Sequence, residues 1–386
     1  MEIIFSIDSE QLKSLKQNFA KAASEIKDAL REGRPIILRH HADCDGYCAA
    51  FALETAILPF INEAHKFSTR RLYYKRIPMR TPYYSYSDAL KDMLFIDSEK
   101  SWIKPPLVIL ADLSPLSNFI VQHMKLNSLR LVVIDHHAVE VSSELLDAEI
   151  NPTKQGFDGS LSTGMLAFEL SLIVNPSIQE NFLLPALAGV ADKSSSQELR
   201  TYISLLGADE YSIKKIAASI DFLAYHLGQV EGRAIIERFF NDSNYRAELL
   251  GILAPEIENK LKTALESALS RLKEERIMRG SSEIILALFS VDSSQEYPPA
   301  GKLAGIVFEE LKKKNKEVIL LAVGEDSIIV RSNLPSFDLN KTISKIKQRF
   351  DGIEGGGHPS AGTIRFPKRH LDKIINYIRQ LISEAE

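Results

Sequence analysis

Aspartate and histidine side chains follow four separate apolar segments of the sequence. They are His41-x-Asp43-x-Asp45-Gly46 after residues 35–38, Asp112 after 107–110, Asp135-His136-His137 after 131–134, and Asp192 after 182–190. Carboxylates that lie close together repel one another unless a cation neutralises them. Oxygen ligands with some imidazole suit Mn²⁺ or Mg²⁺ better than a structural Zn²⁺ site, which favours cysteine. The pattern therefore indicates a site for divalent metal ions.

These side chains meet if the apolar segments before them belong to one parallel sheet. The runs at 35–40, 107–110 and 131–134 have the length of buried strands, with helices predicted at 47–61 and about 117–126. In open α/β sheets, ligands gather at the carboxyl ends of the strands. An amphipathic helix over 8–32 is expected to cover the sheet, and helices at 165–173 and 182–190 follow. The first part of the chain is therefore predicted to be α/β.

Two of the turns have an alternative interpretation. Asp43 or Asp45 can cap the helix at 47–61, and Gly46 lets the chain turn sharply into it. Near residue 160, Ser162 or Thr163 can cap the next helix, or the hydroxyls and the helix start can face a phosphate. The residue types alone do not choose between these roles.

A second α/β domain is predicted from residue 283 onward. Its expected elements are a strand at 284–289, a helix at 302–312, a hairpin of 318–323 and 327–330, a helix at 339–350, a strand through 364 and a final helix. Arg331-Ser332 ends the hairpin, and Gly355-Gly356-Gly357-His358 is predicted to be a glycine turn. Consecutive glycines let backbone N–H groups approach an anion, and a guanidinium can fork onto a phosphate. The alternative is a flexible turn beside a surface arginine.

The predicted domain division places a connector between the two α/β parts. Residues 195–280 are typical of helices with mixed charge, including one long helix from Pro255 to Arg279, and they offer no ligand cluster. We therefore expect a metal-binding domain at 1–195, a helical connector at 196–281 and a smaller α/β substrate-binding domain at 282–386.

The stretch 69–86 concentrates five basic residues and five of the twelve tyrosines of the chain, without an acidic residue. Cations that follow phosphates and rings on which bases stack are what single-strand binding requires. Tyrosine is equally favoured at strand edges and at subunit interfaces. The stretch is therefore either a nucleic-acid contact or an edge strand and loop that packs on its neighbours.

The composition limits the class of protein. A net charge of −4 over 386 residues gives no global basic signature of nucleic-acid binding, so positive charge must be concentrated locally. Two cysteines, Cys44 and Cys48, exclude a disulfide framework and cannot close a Zn²⁺ site alone. No apolar run approaches the length of a membrane span, and no basic-then-apolar leader opens the chain. We expect a cytoplasmic protein without a membrane partner.

The combined motifs resemble a known family. His41-x-Asp43-x-Asp45-Gly46, Asp112, Asp135-His136-His137 and Asp192, in this order, resemble the DHH phosphoesterase superfamily. The run Gly355-Gly356-Gly357-His358-Pro359-Ser360-Ala361-Gly362 looks like the signature of its companion DHHA1 domain. The His-x-Asp-x-Asp-Gly form is similar to archaeal RecJ-like exonucleases, including the Hef-associated nuclease group. Other branches place the first histidine at the position of Arg39, so the resemblance leaves His41, His40 or neither as a ligand.

The resemblance implies two divalent metal ions, with Mn²⁺ preferred and Mg²⁺ as the alternative. It implies that Asp112 bridges them, that Asp43 with His41 holds the first, and that Asp45, His136 and Asp192 hold the second. Asp135 is expected to orient a neighbouring imidazole. The implied phosphate and substrate contacts are His137, Arg331, Ser332, Gly355, Gly356, Gly357 and His358.

The implied activity is exonucleolytic hydrolysis of phosphodiester bonds in single-stranded DNA or RNA, 3′→5′, in replication, repair or RNA turnover. The expected partners are the single strand, a replication or repair protein such as a helicase, and further copies of the chain in a dimer or higher oligomer. One alternative is a phosphodiesterase for short oligoribonucleotides or cyclic dinucleotides. Another is a replication or repair docking module without activity, against which the intact metal residues argue.

Overall fold

The structure is a computed structural model of the chain. It describes residues 3–98, 104–115, 117–137, 141–227, 231–279, 282–291 and 297–384, with the backbone alone at 95–98, 231–233, 282, 358 and 384. The chain divides into two compact units, residues 1–252 and 253–386. The boundary falls within helix α12, Ser243–Ser270, inside the segment predicted as the connector.

The first unit is built on a five-stranded parallel sheet in the order β2-β1-β4-β6-β7. Its strands are β1 Ile36–His41, β2 Tyr74–Met79, β4 Leu107–Ala111, β6 Arg130–Ile134 and β7 Ala148–Ile150, and a separate parallel pair is formed by β3 Tyr83–Tyr84 and β5 Ser114–Pro115. Strand β4 is buried throughout, as expected of a parallel sheet covered on both faces. The register places His40 opposite Ala111 and Ala111 opposite Ile134. The residues that follow β1, β4 and β6 therefore emerge at one edge, which confirms the predicted parallel α/β sheet.

Helices surround this sheet. They are α1 Glu10–Ser14, α2 Lys16–Arg31, α3 Cys44–Ala64, α4 Arg70–Tyr73, α5 Tyr86–Ser98, α6 Asn118–Leu126, α7 Thr163–Val174, α8 Leu183–Ala191, α9 Gln197–Leu206, α10 Glu210–His226 and α11 Glu231–Asn241. The single helix predicted over 8–32 is two, because the backbone at Leu15 (φ −87°, ψ 2°) departs from helical values.

Helix α3 is the buried centre of the first unit. Among the described residues it is the one helix long and apolar enough for a membrane span by length and composition, which the sequence did not lead us to expect. However, 72% of its most apolar window is buried inside the protein. This burial is typical of the core helix of a globular domain.

The second unit contains a six-stranded mixed sheet in the order β12-β13-β11-β10-β9-β8. Its elements are β8 Lys273–Arg279, β9 Ser282–Ser290, α13 Ala300–Lys312, β10 Val318–Val323, β11 Ser327–Ser332, α14 Leu339–Arg349, β12 Glu354–His358, β13 Ala361–Arg365 and α15 Leu371–Glu384. Leu303 and Val307 of α13 pack on one face of the sheet, and Ile343 of α14 and Ile378 of α15 pack on the other. The predicted second α/β domain with its hairpin is confirmed.

Two predictions in this region were wrong. The long helix expected from Pro255 to Arg279 ends at Ser270, and Lys273–Arg279 is an edge strand antiparallel to β9. The side chains of that strand are all exposed or half-buried. An exposed strand needs no alternation of apolar and polar residues, so the sequence carries no strand signal there. The expected glycine turn is strand β12, in which Gly356 lies opposite Thr363 of β13. Gly355 and Gly357 have φ values of 148° and 145°, and an added Cβ would lie 2.3 Å from a carbonyl oxygen of β13 at either position.

Candidate metal centre

Asp112 lies at the centre of the predicted metal site. It follows β4, with a left-handed backbone (φ 57°) and its N–H donated to the carbonyl of Ile134 at 3.0 Å. Its Oδ2 lies 3.3 Å from Nδ1 of His41, and its Oδ1 lies 3.7 Å from Nδ1 of His137 and 3.8 Å from Nε2 of His136. The two oxygens of this buried carboxylate therefore face different histidines, His41 on one side and the His136–His137 pair on the other.

The first set is His41, Asp43 and Asp112, whose ligand atoms lie within 4.8 Å of one another. Asp43 caps helix α3 by accepting the N–H of Gly46 at 3.0 Å, and its other oxygen lies 2.7 Å from Nδ1 of His41. Burial opposes a charged His41, but Asp43 and Asp112 outweigh it and hold the pKa of His41 well above its usual value. The capping and metal interpretations of Asp43 are therefore compatible, because its two oxygens have different neighbours.

His40 points away from this set. Its Nδ1 lies 2.8 Å from the carbonyl of His41, and its fully buried ring packs edge-on against Tyr47. Burial lowers the pKa of His40 well below its usual value. Arg39 also has another role, because Asp92 binds it through two hydrogen bonds of 2.7 and 2.6 Å. The structure thus brings His41 to the carboxylates, and neither His40 nor Arg39.

The second set is Asp112, Asp135, His136 and His137, again within 4.8 Å. Nδ1 of His136 lies 2.8 Å from the carbonyl of Gly159, which places the proton on Nδ1 and directs Nε2 towards Asp192 at 3.3 Å. An added Cβ at Gly159 would lie 2.7 Å from the carbonyl of His136, so this close approach requires glycine. A second hydrogen bond of this kind is typical of metal-ligating histidines.

Asp135 contacts both of the histidines that follow it, as the family resemblance implies. Its Oδ1 accepts the N–H groups of His136 at 2.7 Å and His137 at 3.1 Å and lies 2.8 Å from Nδ1 of His137, and its Oδ2 accepts the hydroxyl of Ser114. Burial acts to raise the pKa of Asp135, but the contacts with His137 and His136 outweigh it and hold the pKa below its usual range. Asp135 therefore fixes the orientation of the His137 ring.

Asp45 is held by a helix terminus. Its Oδ2 accepts the N–H of Thr163 at 3.0 Å and its Oδ1 accepts the N–H of Gly164 at 2.8 Å. Burial and the charges of Asp112 and Asp192 raise the pKa of Asp45 well above its usual value. The start of α7 therefore binds a carboxylate of the chain itself. The amides of Thr163 and Gly164 are occupied in this way and do not face a phosphate, and Ser162, the residue before the helix, makes no side-chain cap hydrogen bond.

Asp192 closes the site at the end of α8. Burial and the charge of Asp112 raise its pKa to about 6, although His136 acts in the opposite direction. A buried group of carboxylates with raised pKa values is destabilising on its own, and a divalent cation relieves that repulsion. The donor set of carboxylate oxygens and imidazole nitrogens fits two such ions and suits Mn²⁺ or Mg²⁺.

One residue that touches the site was not anticipated. Oδ1 of Asp221, in α10, accepts the N–H of Cys44 at 2.9 Å and so fixes the turn between Asp43 and Asp45. The two residues are 177 positions apart. A single aspartate in an amphipathic helix carries no signal in the sequence. Cys44 itself is buried, and its sulfur lies 3.9 Å from the carbonyl of Leu187 rather than at the carboxylates.

The predicted substrate residues lie in the second unit. The register aligns Arg331 of β11 and His358 of β12 on either side of Ala361 of β13. Arg331 donates to the carbonyls of Val330 at 2.9 Å and Gly301 at 3.3 Å, and burial lowers its pKa. The side chain of His358 lies outside the described residues.

Ser332 and the glycines have structural roles in this sheet. The hydroxyl of Ser332, which is buried, accepts the N–H of Leu334 at 3.1 Å. The exposed glycines of β12 form one edge of the sheet. Their contact with a substrate stays a prediction.

The tyrosines of the 69–86 stretch are mostly engaged in packing. Tyr74 and Tyr84 are buried, and Tyr73 stacks on His65 with ring centroids 3.5 Å apart. Arg76 is also buried and lies 2.6 Å from Glu54. Lys75 and Arg80, by contrast, have exposed side chains. The predicted nucleic-acid contact of this stretch stays a prediction.

Comparison with known proteins identifies two family domains in the chain. Residues 35–190 match the DHH family, N-terminal domain, and residues 281–384 match the DHHA1 domain. An uncharacterized protein of Methanocaldococcus jannaschii, MJ1198, is 29% identical over 431 aligned residues, which cover 100% of this chain and 56% of that protein. The chain thus spans little more than half the length of this relative.

Solved structures give the fold independently. A structure described as "Member of s1p family of ribosomal proteins PF0399 DHH domain" is 33% identical, with a TM-score of 0.90 over 100% of this chain and 95% of that one. RecJ in complex with Mn²⁺ from Thermus thermophilus is 15% identical, with a TM-score of 0.64 over 94% of this chain and 54% of that one. A manganese-bound exonuclease RecJ is 14% identical, with a TM-score of 0.63 over 95% and 94%. At these identities the RecJ structures show a shared fold. The chain belongs to the DHH family and carries a DHHA1 domain.

Proposed function

We propose that the protein is a divalent-metal-dependent phosphodiesterase that removes nucleotides from an end of single-stranded DNA or RNA. The observation that supports this most strongly is the placement of Asp112, whose Oδ2 faces His41 of one ligand set and whose Oδ1 faces His136 of the other. A carboxylate shared in this way is the arrangement that two-metal phosphoesterase sites use. Mn²⁺ is the expected ion, with Mg²⁺ as the alternative.

Two sets of residues would hold the ions. His41, Asp43 and Asp112 would bind the first, and Asp45, His136, Asp192 and Asp112 the second. Bound ions of this kind neutralise charge on the phosphoryl group and make water a nucleophile at neutral pH. No serine or cysteine nucleophile is needed, in agreement with the position of Cys44 away from the carboxylates.

The protein residues then bind and orient the substrate. Among the three site histidines, His137 has the most exposed side chain, 37% against 21% for His41 and 3% for His136. Asp135 holds its Nδ1 at 2.8 Å and thereby sets the direction of Nε2. We assign His137 to a phosphate oxygen, because an imidazole fixed at one nitrogen donates from the other without further ordering.

The polymer substrate and the direction of hydrolysis are the finer parts of the proposal. The shared fold with a structure described as exonuclease RecJ supports an exonuclease, and the single strand as substrate comes from the resemblance to the archaeal RecJ-like group. The 3′→5′ direction comes from the resemblance of His41-x-Asp43-x-Asp45-Gly46 to the archaeal RecJ-like group. A flexible strand can bend to present its terminal phosphodiester, whereas a stiff duplex cannot.

Product analysis tests this proposal directly. A 5′-labelled single strand of about 20 nucleotides, as DNA and as RNA, is incubated with Mn²⁺ beside a dinucleotide. We expect a ladder of shortened labelled products, and we expect Asp112→Asn to remove the activity. Immediate release of a labelled mononucleotide would reverse the direction. Hydrolysis of the dinucleotide alone would assign the protein to short substrates, and full activity of Asp112→Asn would overturn the shared-carboxylate site.

A further inference from the structure

A groove of about 490 Å³ lies between strands β1 and β2 and helix α5 in the first unit. Ile37 of β1 with Ile77 and Met79 of β2 provide its apolar lining. A cavity of this volume falls in the range of ligand-binding sites. None of the residues assigned to the metal centre lines it, so it is a separate feature of the same unit.

The groove reaches the sheet edge that carries the metal centre. Strand β2 is parallel to β1, with Met79 opposite His41, and the N–H of Ala42 donates to the carbonyl of Met79 at 2.7 Å. Lys75 precedes Met79 by four residues, so the groove follows about 13 Å of extended strand. This length exceeds that of a single phosphate group, and it favours an extended ligand that begins at the metal centre.

Positive charge lines the groove. Lys75, Arg80 and Lys91 have exposed side chains, and Thr81 adds a hydroxyl. Lys91 lies 3.5 Å from Asp88 but keeps 66% of its side chain exposed. An anionic ligand would therefore meet cations along the length of the groove.

The two carboxylates that line the groove are already engaged by the protein. Asp92 binds the buried guanidinium of Arg39 through two hydrogen bonds and accepts the hydroxyl of Tyr84 at 2.8 Å. Asp88 accepts the backbone N–H of Ser85 at 3.2 Å and its hydroxyl at 2.5 Å. These contacts engage both acidic groups within the protein, and the side chains of Lys75 and Arg80 are exposed at the groove.

We propose that this groove binds the single strand beyond the metal centre, with Lys75 and Arg80 on its phosphates. The inference rests on the proposed function and adds to it the residues that select a polymer. Cations that follow phosphates beside apolar surface for bases and sugars are what single-strand binding requires. A small diester can occupy the metal centre without reaching Lys75. A groove of this kind would give the enzyme a preference for polymers over short substrates.

The test compares two double variants with the same change in charge. Lys75→Ala/Arg80→Ala removes the groove cations, and Lys16→Ala/Lys21→Ala removes two exposed cations from α2 on the same unit. Binding of single-stranded DNA is followed by fluorescence anisotropy in EDTA, which separates affinity from hydrolysis. Mn²⁺-dependent kinetics are then measured on bis(4-nitrophenyl) phosphate and on oligonucleotides of increasing length.

We expect the groove variant to lose at least about tenfold in affinity for a strand of about 20 nucleotides, and the control to lose less than about twofold. Two lost phosphate contacts should reduce the slope of log affinity against log salt by about 1.4. The kcat/KM for the small diester should stay within about twofold of wild type, while the KM for long strands rises.

Several results separate failure of the groove from failure of the proposed function. Equal losses in both double variants, or an unchanged length dependence, would overturn the groove proposal even in an active enzyme. Wild-type binding of the strand in EDTA that the groove variant loses, without hydrolysis in Mn²⁺, would overturn the proposed function and leave the groove supported. A wild-type protein that neither binds nor cleaves the strand would overturn both.

Discussion

The carboxylate of Asp45 and the backbone of Gly164 form a contact that positions the metal centre. Oδ1 of Asp45 accepts the N–H of Gly164 at 2.8 Å, at the start of helix α7. An added Cβ at Gly164 would lie 2.4 Å from Cβ of Ala188 and 3.0 Å from Oδ1 of Asp45. Helices α3, α7 and α8 therefore approach one another as closely as they do because this residue has no side chain.

Gly164→Ala should separate these helices and displace Asp45. Overpacking of this kind lowers the free energy of unfolding by about 1 to 3 kcal/mol, and displacement of Asp45 should also weaken Mn²⁺ binding. Denaturant unfolding and calorimetric titration with Mn²⁺ measure the two effects. Gly251→Ala is the matched control, because nothing lies within 4 Å of its added Cβ in helix α12. That control should be stabilised slightly by its higher helix propensity, and equal behaviour of the two variants would contradict the packing argument.

Asp112→Asn should separate stability from metal binding. Burial and the charge of Asp43 raise the pKa of Asp112, so the ionised carboxylate is unfavourable in the folded protein. In EDTA the variant should be at least as stable as wild type, because the amide removes this repulsion. Mn²⁺ at about 100 times its Kd should stabilise wild type by about 2.7 kcal/mol, and the variant should gain far less. Thermal unfolding with and without Mn²⁺ measures this, and an equal gain in both proteins would exclude Asp112 as a ligand.

Asp221 should act as a positioning residue through the N–H of Cys44. Asp221→Ala leaves that buried amide without its acceptor, whereas Asp221→Asn keeps an acceptor oxygen. Loss of an outer partner of a metal site typically costs 10 to 100-fold in metal affinity or activity, roughly. We expect the alanine variant to lose about tenfold in Mn²⁺ affinity and the asparagine variant to retain most of it. Calorimetric titration of equally folded samples measures the Mn²⁺ affinity of each variant. Equal losses of affinity in both variants would indicate a general structural defect.

The folding stability is expected to depend on pH through Asp88, at the start of helix α5. Ser85 and Asp88 bind each other's backbone N–H groups in a capping box. Burial acts to raise the pKa of Asp88, but the Ser85 hydrogen bonds and the charge of Arg39 outweigh it and hold the pKa below its usual value. An acid with a lowered folded pKa contributes stability above its unfolded pKa and loses it as the pH falls through the folded pKa.

Wild type should therefore exceed Asp88→Asn in stability by about 1 kcal/mol near pH 7. The difference should shrink as the pH falls from about 5 towards 3, because Asp88 then becomes neutral like asparagine. Urea unfolding at several pH values measures the difference. A gap that stays constant over this range would show that the charge of Asp88 does not contribute.

The site residues at the strand ends could be predicted because each follows its own apolar run directly in the sequence. Apolar runs before Asp112 and Asp135 specify buried strands, and parallel pairing then brings both carboxylates to one edge. The contact of Asp45 with α7 was not predicted, because a carboxylate and a distant helix start give no shared signal. Asp221 was missed for the same reason. The contact between residues 177 positions apart exists only after α10 packs beside α8 and α3.

Strand β8 shows a different limit. Its mixed charges from Lys273 to Arg279 fit an exposed helix as well as an exposed edge strand, since no side chain of the segment is fully buried. Only pairing with β9, in which Glu275 lies opposite Leu286, decides the conformation. The glycine run was assigned to a turn by the same local reasoning. Its structure is instead set by the close approach of strand β13.

The three consecutive glycines of β12 are not equivalent, and this gives a test of their role. A Cβ at Gly357 would lie 2.3 Å from the carbonyl oxygen of Ala361, at a φ of 145° that side chains rarely adopt, whereas a Cβ at Gly356 meets nothing within 4 Å. Gly357→Ala should lower the stability of the second unit by about 1 to 3 kcal/mol, while Gly356→Ala should leave it unchanged. Denaturant unfolding of the full chain measures both variants.

The same pair of variants distinguishes a structural glycine from one that contacts substrate. Gly356 is exposed and nothing lies within 4 Å of its added Cβ, so a change in the activity of Gly356→Ala with unchanged unfolding indicates a lost approach of the substrate. We expect its KM for single strands to rise with unchanged unfolding. If Gly356→Ala has wild-type kinetics, the glycine run serves only the pairing of β12 with β13, and the predicted anion contact in this strand is wrong.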